Sequence, residues 1–429
     1  MNENTIRSLK YIYLFAVLQL YLIGFFLREN LAGGAENDFI SFTWPAIEAF
    51  KNNFFITLKN YGTFGEGSTP LFHILNAYLN PFTFSQIAFQ ASITFLSLLN
   101  VLFFSQILKE KYKFDNLNSL FYSSVFLILP FFRSSAFWGI TENLGWLFLI
   151  LSIKYFIRIE KNDKIKNFSI LLLCLFSSLA LYTRPYLIFL PIFVVLYSIF
   201  YGKKNLFKHS IIFYFLFSLP GLYLLYIWGG VLKIGISSSD QVSLINFHHP
   251  KFILKNIIIF ASIFMFYFVP IGLSKYFDSS NFLKKKDFFI FLFVFLILII
   301  LGFLNFFDYL NYEKLGGGAF LKLNQILFVN FLIPFFFISA AGFMFIFKFA
   351  TISNKNTLLF ISLLIFCFPK FILQEYFEPL FLILFLTLID FKEDNIELLK
   401  KNKTQFIYLI FFLTYLISSF FYRYYINPI

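Results

Sequence analysis

Apolar runs of about 18 or more residues recur along the whole chain, parted by short polar turns. Each run is long enough to cross a ~30 Å hydrocarbon core as a helix. Only 13% of the 429 residues are charged, against roughly 25% in a soluble domain. The expected fold is therefore all-α: a polytopic integral membrane protein with about 11–13 transmembrane helices, built as a single membrane domain over residues 1–429. The predicted spans lie at 10–27, 82–108, 117–132, 135–157, 167–183, 185–201, 207–228, 252–274, 288–307, 323–347, 356–373, 376–390 and 404–422. The pair broken at Arg184-Pro185 and the pair broken near Lys370 read equally well as kinked or re-entrant segments.

The formal charge of +13 would suggest nucleic acid or acidic partners in a soluble protein. Here the lysines sit in short turns between spans, so topology accounts for them and no nucleic acid is expected. One set of turns holds Arg7, Lys10, Lys109, Lys111, Lys113, Arg158, Lys161, Lys164, Lys166, Lys203, Lys204 and Lys208. The same set continues with Lys275, Lys284, Lys285, Lys286, Lys348, Lys355, Lys392, Lys400, Lys401 and Lys403. These are most of the 35 basic residues, and the positive-inside bias places them in the cytoplasm with the N-terminus. The opposite, extracytoplasmic set holds the longest loops, at 28–81, 229–251 and 308–322, together with the Lys370–Glu378 turn. Long loops carry function more often than short turns, so the active face is expected there. The 72 phenylalanines fall on every helix face and mark no substrate track. Cys174 and Cys367 lie in apolar runs and act as small hydrophobes, with no metal spacing and no disulfide framework.

The loop 28–81 is unusual for its acids, Glu36, Asp38, Glu48 and Glu66, in a chain with only 22 acidic residues. Phe39, Ile40, Trp44, Ile47 and Phe50 recur near helical spacing, which predicts an amphipathic helix lying in the interface with its apolar side toward lipid. Glu36 and Asp38 stand just before it, where the helix dipole favours anions. Asp38 as a simple N-cap is the competing reading. Gly65 to Phe72 re-enters the membrane, and a turn accounts for its glycines and proline. Glu142 lies near the outer end of its span, where an acid is costly unless paired or functional. Arg133, about two helical turns away in sequence, is its structural alternative as partner. Arg184 either meets an anion or snorkels to the head groups. Adjacent His248 and His249 point in different directions and make a poor metal pair. Gly316-Gly317-Gly318 lacks the lysine and hydroxyl residue of a phosphate loop and reads as a flexible outer turn.

Three of these segments carry a resemblance. Asp38-Phe39-Ile40-Ser41-Phe42 followed by Glu66-Gly67-Ser68-Thr69-Pro70-Leu71-Phe72 resembles the first outer loop of bacterial GT-C glycosyltransferases. Phe137 to Leu144, with Thr141-Glu142, is similar to their threonine–glutamate segment at an outer span end. Tyr182-Thr183-Arg184-Pro185 resembles their outer arginine. Asp240 with His248-His249, and Gln374 to Pro379 with Glu375 and Glu378, are more loosely similar to later loops of dolichyl-phosphate-glucose glucosyltransferases. The chain departs from the pattern at Asn37, where relatives carry the first of two adjacent acids; Glu36 stands one place earlier. The likeness covers the first 200 residues moderately and the remainder weakly.

The resemblance implies a GT-C-like membrane hexosyltransferase that moves a monosaccharide from a polyprenyl phosphate to an envelope glycan or glycolipid. Its setting would be the periplasmic side of a bacterial inner membrane. Such transfer needs a carboxylate at the acceptor hydroxyl and cations at the leaving phosphate. Asp38 or Glu36 would be the base, with Arg184, Arg133 and Lys370 on the phosphate. Glu66, Glu142, Asp240, His248, His249, Glu375 and Glu378 would contact substrate. No cofactor is required; Asp38 and Glu36 could hold a divalent ion between them. The alternatives are a lipid-linked-glycan transporter or flippase, an O-antigen polymerase or ligase, and a membrane component without chemistry. The chain shows no repeat of the kind transporters carry, and its longest outer loop comes first rather than late.

Overall fold

A computed structural model describes residues 3–64, 69–162, 166–228, 250–278, 284–304, 307, 310, 316–329, 331–367 and 372–426. Among them the chain is helical throughout, with two isolated β-bridges, Gly316 with Leu373 and Ala350 with Phe391. Among the described residues six helices are long and apolar enough to cross a membrane, or seven if one pair bent by 71° is a single span. This is the architecture of a multi-pass membrane protein, with fewer full-length helices than the thirteen spans predicted. The chain divides into two compact units, Met1–Gln241 with Leu413–Ile429, and Val242–Phe412.

The first unit opens with α1 (Glu3–Phe26) and then folds its long loop into short helices: α2 (Ala35–Asp38), α3 (Trp44–Asn52), α4 (Phe54–Lys59) and α5 (Leu71–Leu79). It continues through α6 (Gln86–Tyr112), α7 (Asn116–Ser123), α8 (Pro130–Trp138), α9 (Glu142–Lys161), α10 (Asn167–Thr183), α11 (Phe189–Phe200) and α12 (Lys204–Trp228). Ser85 and Asp115 accept backbone N–H bonds from Ala88 and Asn118 and so cap α6 and α7. The predicted span 117–132 breaks at Leu129, which is extended (φ −79°, ψ 124°) because Pro130 follows. Gly139 ends α8 at φ +70°, a backbone shape open to glycine. α9 packs along α10 and α6, and α10 along α12.

Two of the basic residues predicted to share a face find partners on neighbouring helices of this unit. Arg158 on α9 binds Glu110 on α6 through Nε to Oε2 at 3.1 Å and Nη2 to Oε1 at 2.5 Å. Lys10 Nζ donates to Asn118 Oδ1 at 2.7 Å. Lys164 lies outside the described residues.

The second unit is built on α13 (Pro250–Asp278), whose most apolar stretch is 78% buried, against 6% for the neighbouring α14 (Lys285–Phe303). α13 is therefore the central post, and α14 turns its apolar side chains outward. The predicted span 323–347 is split into α15 (Gly318–Phe328) and α16 (Ile333–Phe349), with Val329 at φ +54° and Pro334 in the first turn of α16. α17 (Asn354–Leu363) follows, then α18 (Leu380–Thr387), α19 (Glu393–Lys400) and the start of α20 (Asn402–Phe421), which from Leu413 onward belongs to the first unit. The predicted span 376–390 is instead the eight-residue α18, every residue of which is buried in protein. Nor is the glycine triplet a flexible turn. Gly316, Gly317 and Gly318 are buried, Gly317 N–H donates to Ile372 O at 2.9 Å, and a Cβ on Gly316 would run into that carbonyl.

Candidate functional site

The end of the first unit remote from the Arg158–Glu110 pair is where acids and arginines meet. α1 stops at Phe26, and Arg28 takes a left-handed backbone (φ +52°) that turns Glu29 inward. Arg133 on α8 reaches it with Nε to Oε1 at 2.6 Å and Nη2 to Oε2 at 2.5 Å. Its other donors go to the carbonyls of Leu127 at 2.8 Å and Leu20 at 3.2 Å, and its guanidinium lies over the rings of Tyr21 and Phe137. Arg133 is fully buried and Glu29 nearly so. A guanidinium spent in this way faces no lipid phosphate, which corrects the expectation for Arg133. Glu29 was not singled out by the sequence reading. The available signal was an acid placed directly after a span, where an ionised group needs a partner.

The partner of Glu142 is accordingly not Arg133. Glu142 opens α9, with its carboxylate at the positive end of the helix dipole. Arg184 closes α10 in an extended conformation (φ −140°, ψ 107°), the conformation that Pro185 favours in the residue before it. Its Nη2 forms an ion pair with Glu142 Oε1, and its Nη1 donates to Thr141 Oγ1 at 3.1 Å. The Tyr186 ring lies 5.5 Å from the guanidinium. The Arg184 side chain keeps 13% of its surface exposed, whereas Glu142 keeps 3%. Arg184 thus turns inward to a carboxylate rather than snorkelling.

Residues 35–52 form one helical run, in which Phe39–Thr43 is a π-helical turn between α2 and α3. Pro45 has no N–H for a carbonyl one turn back, and the widened turn accommodates it. Asp38 does not cap this run. It lies inside its first turn, with its carboxylate near the helix start: a Cβ on Gly34 would stand 3.7 Å from Asp38 Oδ2. Glu36 shares that turn, and both acids are half-buried. The apolar face is also corrected. Phe39, Trp44, Ile47 and Phe50 are buried in protein, and only Ile40 of the five is exposed. Phe39, Trp44 and Ile47 pack with Phe72, Phe89, Trp138, Ile140 and Leu144, so the helix covers the Trp138–Leu147 stretch that carries Thr141 and Glu142.

Further side chains tie the loop down. Thr69 Oγ1 donates to Tyr182 O, two residues before Arg184. Tyr61 Oη and His73 Nδ1 share a hydrogen bond at 2.8 Å in the core, beside Trp228, whose Nε1 donates to Leu58 O at 2.9 Å. His73 was not among the residues expected here. Below Tyr182 runs an apolar groove of about 390 Å³ between α4 and α5 on one side and α10 and α12 on the other. Phe54, Leu71, Ile74, Leu179 and Phe217 line it, and Tyr182 stands at its margin.

The remaining predicted residues do not join this group. Glu66, Asp240, His248, His249 and Lys370 lie outside the described residues. Glu375 sits in the 3₁₀ turn Gln374–Tyr376, with its side chain outside the description. Glu378 belongs to the second unit, where it is buried and accepts a hydrogen bond from Gln374 Nε2 at 3.0 Å. Among the described residues no three His, Cys, Asp or Glu side chains gather as a metal site. No family model, curated protein or solved structure matches the chain.

Proposed function

We propose that the chain is a GT-C-like glycosyltransferase that moves a monosaccharide from a polyprenyl phosphate to an envelope glycan or glycolipid at the extracytoplasmic face of a bacterial inner membrane. The observation that carries this reading is the apolar groove between α5, α10 and α12 with Tyr182 at its margin, two residues from the Arg184–Glu142 pair. A polyprenyl chain is apolar along its length and anionic at one end. The groove suits its chain, and Arg184, still partly exposed, suits its phosphate through a planar fork of donors. The pairing with Glu142 holds the guanidinium in place before the donor arrives.

The acids of α2 supply the other half of the reaction. The acceptor hydroxyl attacks the anomeric carbon and passes its proton to Asp38 or Glu36. The bond from that carbon to the phosphate oxygen breaks, and its electron pair leaves on the polyprenyl phosphate, beside Arg184. Half-burial raises the strength of both electrostatic contacts relative to water. A carboxylate base of this kind contributes roughly a hundred- to ten-thousandfold in rate.

The test is transfer by the purified full-length protein, given labelled polyprenyl-phosphate monosaccharides and an envelope-lipid acceptor. Wild type should transfer one sugar, and either Asp38→Asn or Glu36→Gln should lose transfer while remaining folded. No transfer from folded wild-type protein with any donor would overturn the reading in favour of a lipid-linked-glycan transporter, to be followed by flux in liposomes.

A further inference from the structure

Lysines converge on one place in the second unit, from four separate helix ends. Lys275 comes from the last turn of α13, Lys284 and Lys286 from the start of α14, Lys348 from the last turn of α16, and Lys392 from the N-cap of α19. Lys284, Lys348 and Lys392 stand around Asp287. Lys348 Nζ is 3.0 Å from Asp287 Oδ2, and the Lys284 N–H donates to the same oxygen at 3.2 Å. Lys392 Nζ donates to the carbonyls of Phe347 at 3.0 Å and Lys348 at 2.7 Å, and Lys275 Nζ donates to Asn395 Oδ1 at 3.0 Å. Asp287 and Asp394 oppose this group of five cations. Burial pushes the Lys392 ammonium below the usual lysine range; Asp287 draws it back up, and Lys286, Lys348 and Lys284 depress it further. Like charges gathered at the rim of an apolar bundle stay costly until a further anion joins them.

The same rim opens on a second apolar groove, of about 310 Å³, between α13, α16 and α17. Phe264, Phe343, Phe347 and Phe360 wall it, and its polar lining is confined to Thr351, Asn356 and Thr357. Groove and lysines meet at one turn, because Phe347 lines the groove and its carbonyl receives the Lys392 ammonium. Thr351 stands at the same turn and is anchored to Asp390, which also pairs with Lys355 at 2.9 Å. The flanking side chains Phe347, Ile352, Ile361 and Leu364 are exposed, so this flank of the unit presents hydrocarbon rather than a polar surface.

We propose that an acidic phospholipid of the surrounding bilayer seats at this corner. One acyl chain would occupy the groove between α13, α16 and α17, and the phosphate would lie among Lys284, Lys286, Lys348 and Lys392. Charge decides for an acidic headgroup: a zwitterionic lipid carries its own cation into a site already rich in them. The groove decides for a lipid over a soluble phosphate, which has nothing to place against its phenylalanine rings. The inference is independent of the reaction at the other unit.

Native mass spectrometry of the full-length protein, extracted from equimolar phosphatidylglycerol and phosphatidylcholine, tests it. Wild type should retain phosphatidylglycerol over phosphatidylcholine. The exposed-lysine variant Lys284→Gln/Lys286→Gln/Lys392→Gln should lower its retention by on the order of a hundredfold, the scale for three basic groups at a membrane surface. Thr357→Trp, which fills the groove mouth without touching a lysine, should lower it with the charges intact. Equal retention of the two lipids by wild type, or unchanged phosphatidylglycerol binding in both variants, overturns the proposal. Displacement of the lipid by glycerol 3-phosphate at matched concentration overturns it as well, assigning the lysines to a soluble anion.

Discussion

Of the arginine–glutamate pairs in the first unit, Arg133 with Glu29 and Arg184 with Glu142 lie at the end away from Arg158 and Glu110, and they differ in what surrounds them rather than in what they are made of. Arg133 with Glu29 is sealed: its donors are divided between the carboxylate and two backbone carbonyls, with aromatic rings against its guanidinium. Arg184 with Glu142 stands at two helix ends, with the arginine still partly exposed and next to a groove. A sealed pair can only hold α1 to α8. A pair with one open side can exchange its carboxylate for an arriving anion. A glycine beside each pair shows the same contrast. A Cβ on Gly24 would strike Arg133 Nη2 and stand 2.7 Å from Glu29 Oε2, whereas one on Gly145 would meet Arg184 Cγ at 3.2 Å.

The largest effect should come from breaking the sealed pair. Glu29→Ala leaves a buried guanidinium uncompensated and should cost about 3–5 kcal/mol, read as thermal unfolding in detergent. The double variant Glu29→Leu/Arg133→Met should recover most of that stability. If it does not, the pair does more than hold two helices together. Gly24→Ala should follow, at roughly 1–3 kcal/mol, because the added methyl displaces both partners of the pair.

Arg184→Ala should cost less than either change to the sealed pair in the same unfolding experiment, because Arg184 is itself partly exposed and its removal opens a path for water to Glu142. It should nevertheless remove sugar transfer. Stability loss as large as that of Glu29→Ala would make the two pairs alike and end the distinction. The smallest effect on folding belongs to Asp38→Asn, within about 0.5 kcal/mol for a half-buried site. Its whole consequence should appear in the transfer assay.

Much of this molecule could be read along the chain. The long runs around α1, α6, α12, α13, α14 and α20 are helices of spanning length, because hydropathy over one turn after another is a local property. Lys348 and Lys401 find acids close to the turns where the sequence places them. Less legible were the segments where apolar residues face protein instead of lipid. Phe39, Trp44 and Ile47 have the spacing of an interfacial helix, and that spacing is the same whether lipid or Phe89 and Trp138 lie opposite. The eight residues of α18 are as apolar as any span and are buried in protein.

Sequence by itself determined that the chain is helical and multi-pass and where most of its long helices lie. Tertiary structure alone decided which acid meets which arginine. Arg133 lies nine residues from Glu142 and yet takes Glu29, while Glu142 takes Arg184 across the α9–α10 packing. An ion pair is settled by distance and by the water left around it, and both arise only when helices far apart in the chain are brought side by side.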